Sequence, residues 1–80
     1  MNIGEATVAR IKELCSESGI TLNKLATISG ITQSTLNNVV NGRNKSTTIV
    51  TIKKICDGLD ITIKDFFNSD LFDSLSQEIK

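Results

Sequence analysis

The stretch LNKLATISGITQSTLNNV, from Leu22 to Val39, decides how this chain folds. Its apolar spacing predicts two short helices joined at Gly30, whose missing Cβ suits the left-handed backbone of a tight turn. Ala26 offers the small side chain needed where two crossing helices touch. Leu25, Ile31, Leu36 and Val39 supply the apolar residues that lock the second helix onto a body. The pair Ile31-Thr32 marks the start of that helix. Threonine accepts a hydrogen bond from an orphan amide of the first turn, and the isoleucine before it closes on Leu36 as a hydrophobic staple.

The same start signal occurs at Ile20-Thr21, with Leu25 as the staple partner, and at Ile61-Thr62, with Phe66. The last copy also carries Asp65 at the capping-box position. Short helices are therefore predicted to begin at Thr21, Thr32 and Thr62. Ile11, Leu14 and Cys15 place a helix over about residues 5–18, ended by Gly19. Ile52, Ile55, Cys56 and Leu59 place another over about 49–57, ended by Gly58. Between them lies the polar loop Asn-Gly-Arg-Asn-Lys-Ser-Thr-Thr, residues 41–48, with Gly42 available for a positive φ. After Phe67, Asn-Ser-Asp interrupts the pattern, and Leu71, Phe72, Leu75 and Ile79 outline a candidate sixth helix. No strand-like alternation appears. The expected fold is all-α with five helices and a candidate C-terminal sixth. A single domain over residues 1–68 is followed by a C-terminal segment, 69–80, expected to be helical and to serve packing or dimerisation.

Composition narrows the function. Eighty residues make one domain. The chain has no histidine, and its two cysteines, Cys15 and Cys56, match neither metal-ligand spacing nor a disulfide framework. No phosphate loop or nucleophile–base pair is recognisable, so no enzyme, metal or cofactor is expected. Met1 to Glu5 shows no export pattern and no apolar run is long enough to span a bilayer, so a cytoplasmic chain with reduced thiols is expected. The formal net charge is zero, but it is unevenly distributed. Residues 18–56 hold Lys24, Arg43, Lys45, Lys53 and Lys54 and no acid. Residues 57–80 hold six acids against Lys64 and Lys80. A basic middle of this kind can face phosphates while the acidic end points away.

The second short helix carries the chemistry. Its remaining residues, Gln33, Ser34, Asn37 and Asn38, are polar but uncharged, where a solvated face more usually carries glutamate and lysine. Asparagine and glutamine can pair with adenine edges in the major groove, so these four are candidates for reading bases.

Leu25-Ala26, then Ser29-Gly30-Ile31-Thr32-Gln33-Ser34-Thr35-Leu36, Asn41-Gly42 and Thr51 to Leu59 together resemble the lambda-repressor-like, Cro-and-repressor (xenobiotic-response-element) helix-turn-helix family. The similarity covers about residues 5–68. It implies a five-helix DNA-binding domain whose third helix enters the major groove, often as a homodimer on a near-palindromic site. By resemblance, Gln33, Ser34 and Asn38 read bases. Asn41, Arg43, Asn44 and Lys45 face phosphates, and Thr21 and Asn23 add backbone contacts at a helix N-terminus. The chain departs from the family pattern in two places. Leu22 stands where many members have a glutamine that buttresses the base-reading glutamine. Cys15 and Val40 stand where many members pair an arginine with a glutamate, and the joint loss of both charges leaves an apolar pair.

The function expected is a sequence-specific transcriptional regulator, a repressor binding double-stranded DNA. The rival reading is an antitoxin or other protein-interaction module on the same fold. A purely interacting module has no need of the amide face and basic loop that this chain carries.

Overall fold

The computed structural model describes residues 1–41 and 47–79, and among these it is all-helical. Helix α1 (Ile3–Ser18) leads into α2 (Leu22–Ser29) and α3 (Gln33–Val40); α4 (Ile49–Leu59) and α5 (Ile63–Phe67) follow. One turn of 3-10 helix, Asp70–Phe72, completes the regular structure.

Side-chain caps fix where each α-helix begins. Asn2 and Glu5 form a reciprocal capping box at α1, the Asn2 side chain accepting from the Glu5 amide at 2.8 Å and Glu5 from the Asn2 amide at 2.9 Å. Thr21, Thr32, Thr48 and Thr62 each accept from the amide three residues on, at 3.0–3.1 Å. Asp65 returns a bond to the Thr62 amide at 3.2 Å, which holds its carboxyl below the usual carboxylate range. A capping threonine contributes about 1 kcal/mol relative to alanine. The three expected starts stand as read; Asn2 and Thr48 are further caps that the apolar pattern did not reveal.

Three joints share one design. Gly19, Gly30 and Asp60 adopt left-handed backbone at φ 65°, 68° and 56°. The isoleucine that follows each donates its N–H back into the helix just ended: Ile20 to the Cys15 carbonyl, Ile31 to Ala26 and Ile61 to Cys56, at 2.9–3.1 Å. This six-to-one bond satisfies a carbonyl that the helix end would leave orphaned. The same isoleucine then precedes the threonine cap of the next helix. One Ile-Thr pair thus closes one helix and opens the next across a three-residue connection.

The expected end of α4 at Gly58 is corrected by this geometry. The helix runs on to Leu59, and Asp60, whose short polar side chain tolerates left-handed backbone, takes the terminating place. Gly58 has another role. A Cβ built there would lie 2.6 Å from Ser29 Oγ and 3.0 Å from the Ile28 carbonyl carbon and oxygen. Its bare Cα is what lets α4 lie against the end of α2, the most extensive helix–helix contact in the chain.

Phe66, Ile11, Leu25, Leu36, Ile55 and Cys56 are the largest fully buried side chains, drawn from all five α-helices. Burying an aliphatic or aromatic side chain of this size contributes about 1.5–3 kcal/mol. Cys15 belongs to this core and Val40 packs partly buried against it, so both places of the absent ion pair face the same apolar interior. Leu22 also packs against the core rather than offering a polar group. Burial raises the pKa of both free thiols, Cys15 and Cys56.

Arg10 is the buried charge that the sequence reading passed over. Its Nε donates to the Phe66 carbonyl at 2.6 Å and Nη2 to the Asp65 carbonyl at 2.8 Å, while Nη1 pairs with Glu13. The guanidinium thereby caps the C-terminal carbonyls of α5 and ties that short helix to α1.

The C-terminal segment forms the single turn Asp70–Phe72 rather than an α-helix reaching Ile79. Phe72 folds back so that its ring lies 4.9 Å from Phe67 and 6.4 Å from Phe66, and the turn packs on α1. The Ser76 amide then bonds to the Met1 carbonyl at 3.0 Å. Ser74 and Ser76 weaken helical propensity here, and the aromatic cluster offers more burial than a continued helix would.

Candidate nucleic-acid interface

Helices α2 and α3, joined through Gly30, form a helix-turn-helix whose second helix presents a polar face. Leu36 and Val39 turn into the core. Gln33, Ser34, Thr35, Asn37 and Asn41 are exposed, and Asn38 is half-buried. At 100° per residue, Ser34, Asn37, Asn38 and Asn41 recur at the i, i+3, i+4, i+7 spacing of a single helix face. Gln33 stands one turn before Asn37. These candidates are therefore brought together on one short element whose opposite side is anchored.

The amides of Gln33, Asn37, Asn38 and Asn41 make no hydrogen bond to any described residue. Thr35, which the sequence reading left aside, is also exposed in the first turn of α3. Its hydroxyl accepts from Thr32 at 2.8 Å and so belongs to the cap. Only its place among the polar residues of α3 could have drawn attention to it.

Thr21 and Asn23 are exposed at the start of α2. The Thr21 hydroxyl caps the Lys24 amide, while the Asn23 carbonyl accepts the Thr27 hydroxyl at 3.1 Å. Arg43, Asn44, Lys45 and Gly42 lie outside the described residues. Lys53 is paired with Asp57 along α4 at 2.5 Å, which raises its pKa and marks this as a solvated helix face. Among the described residues no three histidine, cysteine or acidic side chains come together as metal ligands. No described helix is long and apolar enough to cross a membrane.

An anchored helix-turn-helix with a polar outer face defines the class: a DNA-binding domain. The chain belongs to the Cro/C1-type HTH DNA-binding domain family, whose model matches residues 10–70. Among solved structures it is similar to the prophage Lp1 protein 11. The two share 37% sequence identity and a TM-score of 0.81, over 94% of this chain and 100% of that one. A search of the curated proteins finds no match.

Proposed function

We propose that this protein is a sequence-specific transcriptional repressor that binds double-stranded DNA as a homodimer, with α3 in the major groove. The observation that carries this reading is the uncharged amide face of α3, which no described residue engages, set on a helix-turn-helix of the Cro/C1 type. Gln33, Ser34, Asn37 and Asn38 read base edges. Thr21, Asn23, Asn41, Arg43, Asn44 and Lys45 meet phosphates, the last three on the ground of their sequence alone. A domain seated on its operator excludes polymerase by occupancy, which needs no catalytic group. The free buried thiols suit a reducing cytoplasm.

The dimer reading is supported by apolar side chains left in water. Ile49 and Val50, at the start of α4, are 65% and 59% exposed. A cleft of about 230 Å³ is lined by Ile3, Thr47, Ile52 and Phe67, which puts the start of α1 beside the start of α4. An isologous contact through this region would cover them.

Titration of duplexes containing a selected operator or its scrambled sequence, at several salt concentrations, tests the proposal. Gln33→Ala or Asn38→Ala should cost roughly 1–3 kcal/mol on the operator alone. Lys45→Ala should weaken both duplexes alike and lower the salt slope by about one. Equal, weak binding of both duplexes by the wild type would overturn specific recognition.

A further inference from the structure

We propose that the outer face of α3 selects adenine–thymine pairs, so that the operator positions it reads are A·T. The inference rests on the reading that α3 enters the major groove and names what it recognises there.

Charge comes first. From Leu25 to Asn41 the chain has no lysine, arginine, aspartate or glutamate. Guanine shows two acceptors, O6 and N7, in the major groove and is best met by a cationic donor fork; cytosine shows an amino donor best met by a carboxylate. Neither partner is present on α3. What α3 offers is three primary amides, Gln33, Asn37 and Asn38, with Ser34 among them.

The shape of the amide then decides between purines. Each amide holds one acceptor and one donor pair in a plane, the complement of adenine's N6 donor and N7 acceptor. Against guanine, whose O6 and N7 are both acceptors, only the NH2 can engage and the amide oxygen is left without a donor, so the paired match is lost. The helix arranges these groups in adjacent rows: Gln33 and Asn37 at i, i+4, and Ser34 and Asn38 at i, i+4. No described residue engages them, so they are free to turn toward a base edge. The caps on either side show the contrast, since Thr32 and Thr48 are held by backbone amides.

Base analogues test the inference. An operator is first selected from random duplexes with the full chain, and single pairs are then replaced. Inosine·cytosine keeps the minor groove close to that of A·T but presents guanine's major-groove edge. Diaminopurine·thymine keeps adenine's major-groove edge and adds guanine's minor-groove amino group. Inosine at the pairs read by α3 should weaken binding roughly 5- to 150-fold, and diaminopurine should leave it nearly unchanged. Asn37→Ala and Asn38→Ala, checked for folding by thermal melting, should shrink the adenine-over-inosine preference at their own pairs.

Selected sites with G·C at the pairs whose preference these variants lose would overturn the inference while leaving specific DNA binding intact. So would sensitivity to diaminopurine without sensitivity to inosine, the mark of minor-groove or shape reading. Failure to select any duplex would instead overturn the DNA-reading function itself, and the inference with it.

Discussion

Polar side chains at the helix starts and on the outer face of α3 are used in opposite ways. Asn2, Thr21, Thr32, Thr48 and Thr62 each hold a backbone amide, and Arg10 holds two carbonyls of α5. A few residues away, Gln33, Asn37, Asn38 and Asn41 hold no described group. The first set satisfies orphan backbone groups that would otherwise cost stability. The second makes no described side-chain hydrogen bond, and its asparagines lower helix propensity. In a small domain, polar groups that stabilise nothing internal are the ones to examine for a ligand.

The difference can be broken most severely from the inside. Cys15→Arg puts a charge without a neutralising partner into the apolar core against which Val40 also packs. Because Cys15 is 6% exposed, the substitution buries an unpaired cation and should cost about 3–5 kcal/mol in urea unfolding. A loss below 1 kcal/mol would show that the site opens readily to water. Arg10→Met comes next. It leaves the Asp65 and Phe66 carbonyls without the guanidinium and should cost about 2–3 kcal/mol. Arg10→Lys should recover less than half, because one ammonium cannot span both carbonyls as the guanidinium fork does.

Gly58→Ala has a smaller expected effect. The new methyl meets Ser29 Oγ and the Ile28 backbone, and forcing the two helices apart should cost about 1–2 kcal/mol. Ser29→Ala should be close to neutral by itself, since that buried hydroxyl has no partner to lose. Combined with Gly58→Ala it should give a total less than additive, because the closest clash goes with the hydroxyl. Strict additivity would show that the Ile28 backbone alone sets the approach.

The same comparison explains what could be read from sequence. Ile20-Thr21, Ile31-Thr32 and Ile61-Thr62 announced three helix starts because capping and stapling are local, set within six residues. Gly19 and Gly30, the residues before the first two pairs, announced the preceding stops just as locally. Gly58 mimics a helix stop two residues before the true one at Asp60. Its actual role depends on Ser29 and Ile28, which are distant in sequence. Arg10 was equally hidden: its partners are carbonyls 55 and 56 residues away, and a carbonyl has no signature in a sequence. The C-terminal segment had an apolar spacing that suited a helix, but the attraction of Phe72 to Phe66 and Phe67 is tertiary. The amide face of α3 was visible because it is defined by what is missing, charge, and that is plain in a string of letters.

The smallest expected change in stability is also the sharpest test of the comparison. Asn37→Ala and Asn38→Ala remove amides that hold no described group, and alanine is the better helix former. Each should therefore alter unfolding free energy by no more than about 0.5 kcal/mol in either direction. Thr32→Ala, at the N-cap of the same helix, should cost about 1 kcal/mol, because the Thr35 amide loses its acceptor. Binding to the selected operator should rank the other way, with the asparagine variants losing affinity through their missing base contacts. If Asn37→Ala and Asn38→Ala destabilised as much as Thr32→Ala, these amides would be structural. The division between groups that hold the fold and groups left for DNA would then fail at the helix where it matters most.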